Sequence, residues 1–192
     1  MQKITRILMD QLTQIKDFAG QAHGSQRRKF ADEPYINHPV RVMEICRAYI
    51  PDLPVLSAAL LHDVLEDTAV TKEELSDWLH KTLSSADADR ALTLTVELTD
   101  IYSKKDYPHW NRRKRKQMEA KRLGQISAAG QTIKYADIVD NANDIASADA
   151  DFIPTFLHEC RQLLNVMEKG NPELRQRAMD IVNKHLSAAD KH

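Results

Sequence analysis

The stretch Leu60-Leu61-His62-Asp63-Val64-Leu65-Glu66-Asp67-Thr68 places ionisable side chains on a pattern within an otherwise apolar helix. Helical spacing stacks His62 over Glu66 and Asp63 over Asp67, so all four address neighbouring parts of one cleft. Burying a lone carboxylate beside such an apolar run is costly, whereas a divalent cation compensates the charge and takes neutral imidazole as a further ligand. The alternative is a helix end carrying ordinary solvated acids.

Outward from this stretch the apolar residues recur mainly at helical spacing, and only five glycines and seven prolines punctuate the chain. The fold class is therefore all-α. Ile4, Ile7, Leu8, Leu12 and Ile15 fall three and four apart and predict an amphipathic first helix over about 3–22. His38-Pro39 opens a second helix running to about Tyr49, since proline suits the first helical position. Asp52 is a candidate cap for a third over 53–67, and Thr71 with Glu74 has the capping-box spacing for a fourth over about 71–83. Further helices are expected near 85–101, 108–123, 131–146, 152–169 and 172–188, the last opened by Asn171-Pro172. The segment 22–37 has no clear amphipathic period, and a charged, aromatic loop is a natural place for function. A second irregular region, Ser103 to Trp110, precedes the basic run Arg112–Lys116.

With 192 residues the chain suits one domain. A hydrophobic content of 42% and a charged content of 29% are those of a globular protein, not a disordered one. The formal net charge of -1 supplies no global positive field for nucleic acid or an anionic membrane, so any anion site is local. The basic run reads as a solvated helix face rather than a nucleic-acid patch, with two or three of its members available to such a local anion site. Cys46 and Cys160 are far apart with no partner motif, which suits buried thiols in a reducing compartment. The N-terminal segment is broken by charge every three or four residues and is neither a signal peptide nor a membrane span. A cytoplasmic protein is expected.

Two more segments join the first. Pro34-Tyr35-Ile36-Asn37-His38-Pro39 puts a histidine at a helix start, and Ile133-Lys134-Tyr135-Ala136-Asp137-Ile138-Val139-Asp140-Asn141 puts Asp137 and Asn141 on one helical face. In order, the three segments resemble the HD superfamily, and specifically the hydrolase domain of RelA/SpoT-type alarmone enzymes and their stand-alone small relatives. The similarity starts near Ala22-His23, passes Gln26-Arg27-Arg28-Lys29, the Leu61-His62-Asp63 and Glu66-Asp67-Thr68 steps and Arg113-Lys114-Arg115, and ends around Asp137 and Asn141.

The resemblance implies a single HD-type bundle of about eight to ten helices over residues 1–192, with motifs over about 20–145; the helices expected over about 150–190 carry no motif and complete the core or form a homodimer face. It implies one manganese ion held by His38, His62, Asp63 and Asp137, with Glu66 and Asp67 acting on the attacking water. It places Arg28 and Lys29 against the nucleotide base and Asn141 against the nucleotide, with Arg113 and Lys134 among the basic residues that offset a polyphosphate. Beside the resemblance, two imidazoles and two carboxylates suit manganese, iron or zinc better than calcium. An ion in such a set lowers the pKa of water and polarises a phosphoryl oxygen, the requirements of phosphate-ester hydrolysis. His23 and His109 are close enough in sequence to support the site.

The chain departs from the family at Tyr135, where leucine is usual, and at Asp140, where histidine or tyrosine is usual; Asp140 lies about 300° round the helix from Asp137. The interval between His62-Asp63 and Asp137 is also longer, the extra residues falling around Arg122 to Gly130. These departures bear on the substrate rather than the metal. The expected activity is a 3′-pyrophosphohydrolase of guanosine or adenosine alarmones. Alternatives are a phosphohydrolase of another nucleotide, such as the 2′-phosphate of NADPH, and a non-catalytic nucleotide sensor or antitoxin-like module. Only about 47 residues follow position 145, which leaves no room here for a synthetase domain.

Overall fold

The computed structural model describes residues 2–145 and 152–189. Ten helices appear among them: α1 (Gln2–His23), α2 (Asn37–Tyr49), α3 (Leu53–Leu61), α4 (Val64–Asp67), α5 (Lys72–Thr82), α6 (Ser85–Leu98), α7 (Arg112–Leu123), α8 (Ala128–Asp144), α9 (Phe152–Val166) and α10 (Pro172–Ala189). No strand is present among the described residues, only an isolated antiparallel bridge between Arg27 and Pro34. The fold is the all-helical one that the periodicity predicts. The side chain of Ile4, residue 146 and His192 lie outside the described residues. Contacts divide the chain into two compact units, Met1–Thr99 and Asp100–His192.

In the first unit α3 is the centre. Its residues Pro54 to Leu61 are all buried, and a helix that is apolar all round belongs in a core. It is packed by α1, α2 and α6. The N-terminal stripe is buried only in its later part: Leu12, Ile15 and Ala19 are in the core, whereas Ile7 is exposed. Asp52 occupies the cap position of α3 but does not cap it; its carboxylate instead accepts from Arg90 at 2.7 Å. The capping box of α5 forms as expected, with Glu74 N–H donating to the Thr71 hydroxyl oxygen and Thr71 N–H to the Glu74 carboxylate.

One predicted helix divides in two. The run 53–67 breaks at His62-Asp63, separating α3 from the single turn of α4. The His62 ring explains the break: Nδ1 lies 2.9 Å from the carbonyl of Ala59, the group a continuous helix would offer to the N–H of Asp63.

In the second unit α8 is covered by α9 and α10, whose Leu157, Leu164, Leu174, Val182 and Leu186 are buried. The helices beyond residue 150 thus complete a core. Asn111 and Ser127 cap α7 and α8, which begin at 112 and 128 rather than the expected 108 and 131. Asn171 caps α10 through the N–H of Leu174 at 3.0 Å. Tyr135, where a leucine is usual, is fully buried and donates its hydroxyl to the carbonyl of Met167 at 2.6 Å. Asp140 is buried as well. Cys46 and Cys160 are free and buried, and burial pushes the Cys160 thiol up to about 12.

Candidate metal centre and the loop beside it

The segment joining α1 to α2 is built by short-range contacts. Gly24 takes a positive φ of 54°, a conformation glycine tolerates, and ends α1 with its N–H on the carbonyl of Gly20. The chain then doubles back. Arg28 N–H donates to the Glu33 carbonyl at 3.1 Å and Tyr35 N–H to the Gln26 carbonyl at 2.9 Å. Glu33 fastens the loop to α2 by accepting from Asn37 at 2.9 Å and Arg41 at 2.7 Å. Its partial burial raises the carboxyl pKa, but the hydrogen bonds from Asn37 and Arg41 outweigh that and hold it below its ordinary value.

This loop sets His38 in the first turn of α2, facing the α3–α4 break. His38 and His62 are both buried, with ring centroids 5.1 Å apart. Nε2 of His62 lies 3.0 Å, and Nε2 of His38 3.6 Å, from Oδ2 of Asp63. A carbonyl oxygen only accepts, so the contact of His62 Nδ1 with Ala59 puts a proton on Nδ1 and turns Nε2 toward the carboxylate. Two lone pairs at 3.0 Å repel unless a cation, a proton or a metal, lies between them. The break that interrupts the helix therefore also orients a ligand. Two imidazoles and a carboxylate converging in this way fit a divalent transition metal.

The other expected members are distributed as follows. Glu66 and Asp67 are exposed on α4. Asp67 N–H donates to the Asp63 carbonyl at 2.8 Å, so the i to i+4 relation of Asp63 and Asp67 holds although α4 is separated from α3. Asp67 Oδ2 accepts from Gln26 Nε2 at 3.2 Å, and Gln26 Oε1 lies 2.9 Å from Nδ1 of the buried His23. The Tyr35 hydroxyl donates to Asp63 Oδ2 at 2.5 Å. Gln26 and Tyr35 have no site role in the sequence pattern, although both lie in the irregular segment 22–37. The Arg28 guanidinium lies over the Tyr35 ring, 5.7 Å from its centroid, and Lys29 over Phe30 at 5.0 Å.

In the second unit the buried Asp137 accepts from Asn141 Nδ2 at 2.5 Å and pairs with Lys134 Nζ at 2.8 Å. These three expected residues lie on α8 between Lys134 and Asn141. Arg113 is exposed and lines an open groove of roughly 490 Å³ between α7 and α9 with Thr155 and His158. Trp110 stacks among Tyr102 and Tyr107, and Trp78 on Phe18, so both tryptophans pack against protein rings. His109 is exposed.

The helical fold and the paired His38 and His62-Asp63 define a class. The chain matches the HD domain family over residues 16–164 and belongs to that family. HD domains bind divalent metals. Within the family it is similar to the human protein named guanosine-3′,5′-bis(diphosphate) 3′-pyrophosphohydrolase MESH1, 38% identical over 138 residues that span 70% of this chain and 69% of the human one. A Vibrio cholerae guanosine-3′,5′-bis(diphosphate) 3′-pyrophosphohydrolase is 38% identical over 152 residues, 77% of this chain and 20% of that much longer protein. A solved structure described as a metazoan ortholog of SpoT that hydrolyzes ppGpp superposes with a TM-score of 0.74 at 26% identity, over 91% of this chain and 94% of its own. Among the described residues no helix is long and apolar enough to cross a membrane.

Proposed function

We propose that this protein is a metal-dependent 3′-pyrophosphohydrolase of guanosine or adenosine alarmones. The observation that carries the reading is the Asp63 carboxylate flanked by the Nε2 atoms of His62 and His38, with His62 Nδ1 held on the Ala59 carbonyl so that Nε2 faces the site. The names of the human and Vibrio relatives supply the substrate class. The reading includes both units in one HD-type domain over residues 1–192, supported by a family match that runs through 16–164. It takes Asp137 as the fourth ligand and one manganese ion as the resident metal, as the family resemblance implies. A cytoplasmic location suits the two free thiols.

A divalent ion held by His38, His62, Asp63 and Asp137 would supply polarisation of a phosphoryl oxygen and a lowered pKa for water. Glu66 and Asp67 orient the attacking water and accept its proton. Attack at the phosphorus next to the ribose 3′ oxygen forms one P–O bond and breaks another, pyrophosphate departs and the 3′ oxygen takes up a proton. Arg28 and Lys29 receive the base, Asn141 the nucleotide, and Lys134 and Arg113 offset the polyphosphate charge.

The test incubates manganese-loaded protein with ppGpp, ppApp and NADPH separately, beside Asp63→Ala, and resolves the products by ion-exchange chromatography. Pyrophosphate released from ppGpp or ppApp, and lost in the variant, is the expected result. Orthophosphate from NADPH alone would move the activity to a 2′-phosphatase. Binding of nucleotide without turnover would instead mark a sensor.

A further inference from the structure

We infer that Tyr35 is a positioning residue that couples the nucleotide-binding loop to the metal set, an inference that rests on the function proposed above. Three contacts meet at this one side chain. Its hydroxyl donates at 2.5 Å to Asp63 Oδ2, the same oxygen that faces His62 Nε2 at 3.0 Å and His38 Nε2 at 3.6 Å. One face of its ring carries the Arg28 guanidinium at 5.7 Å, within cation–π range. The His23 ring packs against it with centroids 4.5 Å apart.

The backbone of Tyr35 is held as firmly. Its N–H donates to Gln26 at 2.9 Å and its carbonyl accepts the N–H of His38 at 3.0 Å. The residue thus fixes the first turn that presents one candidate ligand while its hydroxyl fixes the carboxylate of another. A short hydrogen bond to an ionised carboxylate is charge-assisted, and it removes the freedom of Asp63 to rotate away from the imidazoles. The carboxylate keeps further lone pairs for an ion, so orientation is gained without occupying the ligand. A phenol proton also draws a little charge off the carboxylate, which opposes ion binding. Ligand orientation by outer hydrogen bonds ordinarily outweighs that effect, since losing such a partner costs about 10–100-fold in metal affinity or activity.

The two functions of the side chain separate by substitution. Tyr35→Phe keeps the ring under Arg28 and removes the hydroxyl; Tyr35→Leu removes both. Mn²⁺ titration of the full chain, followed by the electron paramagnetic resonance signal of the free aquo ion, reads the metal half without turnover. Nucleotide KM at saturating Mn²⁺ reads the other half, and thermal unfolding checks that each variant is folded. Tyr35→Phe is expected to bind Mn²⁺ about tenfold or more weakly, with KM within about twofold of the parent protein. Tyr35→Leu is expected to share that metal defect and also to raise KM, as Arg28→Ala does with Mn²⁺ affinity unchanged.

Tyr35→Phe binding Mn²⁺ as tightly as the parent, or equal KM values for Tyr35→Phe and Tyr35→Leu, overturns the coupling role. A parent protein that binds no Mn²⁺ overturns the metal reading and this one with it. Mn²⁺ binding weakened in Tyr35→Phe, in a protein that turns over none of the nucleotides, supports the orienting role of Tyr35 and overturns the hydrolase reading alone.

Discussion

The Gln26 side-chain amide donates to Oδ2 of Asp67 at 3.2 Å, joining two positions 41 residues apart. Asp67 ends a helix of a single turn and is exposed, so little else in the backbone of α4 limits its rotamers. Gln26 is itself held by His23 at 2.9 Å, which makes the amide a fixed donor. Gln26→Leu is expected to lower kcat about tenfold while Mn²⁺ affinity stays within about twofold, because in the proposed mechanism the lost contact aims a water-directing carboxylate and not a ligand. Asp67→Asn is expected to lower kcat by about 10²–10⁴, the range for loss of a general base. Pyrophosphate release at saturating Mn²⁺ checks both. Equal activity in Gln26→Leu and the parent would remove the contact from the mechanism.

Metal removal has a stability signature. A ligand that binds only the folded protein stabilises it by about 2.7 kcal/mol at a hundredfold excess over Kd. For a chain of this size that corresponds to a Tm rise of roughly 5–10 °C. Differential scanning fluorimetry with excess Mn²⁺ and with a chelator is expected to show such a rise in the parent protein and none in Asp63→Ala.

What the sequence made legible were patterns closed within a few residues. Thr71 and Glu74 announce α5 because a capping box lies within four positions, and Asn171-Pro172 announces α10 for the same reason. The His62-Asp63 motif likewise marks the site, since ionisable groups in an apolar run need an explanation. The break between α3 and α4 was not legible, because an imidazole competing for the Ala59 carbonyl has no periodicity to betray it. Nor was the diversion of Asp52 to Arg90, a partner 38 residues away. Tyr35 and Gln26 stand close to Asp63 and Asp67 only after the loop has folded back on its Arg27–Pro34 bridge. Contacts that depend on closure of the chain are absent from any local pattern.

Burial gives the cysteines a chemical test. Cys160 is pushed from 9.0 to about 12, first by burial and then by the nearby Asp137 charge. As a neutral thiol at pH 8, with Cys46 equally buried, it is expected not to react with a disulfide reagent in the native protein. Both thiols should titrate on denaturation. An acid whose folded pKa is raised loses its stabilising share as pH climbs from its unfolded value, so the native state is expected to weaken between about pH 9 and 12. Cys160→Ala should reduce that alkaline slope in urea denaturation.

Tyr135 decides whether its departure from leucine is a matter of substrate or of packing. Its hydroxyl donates to the Met167 carbonyl at 2.6 Å and lies 3.3 Å from Gln131 Oε1, with the ring fully buried. The same amide oxygen of Gln131 accepts the N–H of Lys169 at 2.7 Å, so the phenol is one strut in a network tying α8 to the turn before α10. Tyr135→Phe keeps the ring and removes one buried hydrogen bond, a loss of about 1 kcal/mol. The Met167 carbonyl keeps Arg175 as a donor at 2.9 Å, which limits the penalty. Gly170 sits against the ring: a Cβ there would fall 2.4 Å from Tyr135 Cε2 and 2.9 Å from the Thr132 nitrogen. Because one of those atoms is backbone, Gly170→Ala is expected to be the more damaging, at about 1–3 kcal/mol. Urea denaturation measures both, and nucleotide preference is expected to be unchanged in Tyr135→Phe. A shift in the ratio of ppGpp to ppApp hydrolysis in that variant, with stability intact, would return Tyr135 to the substrate side.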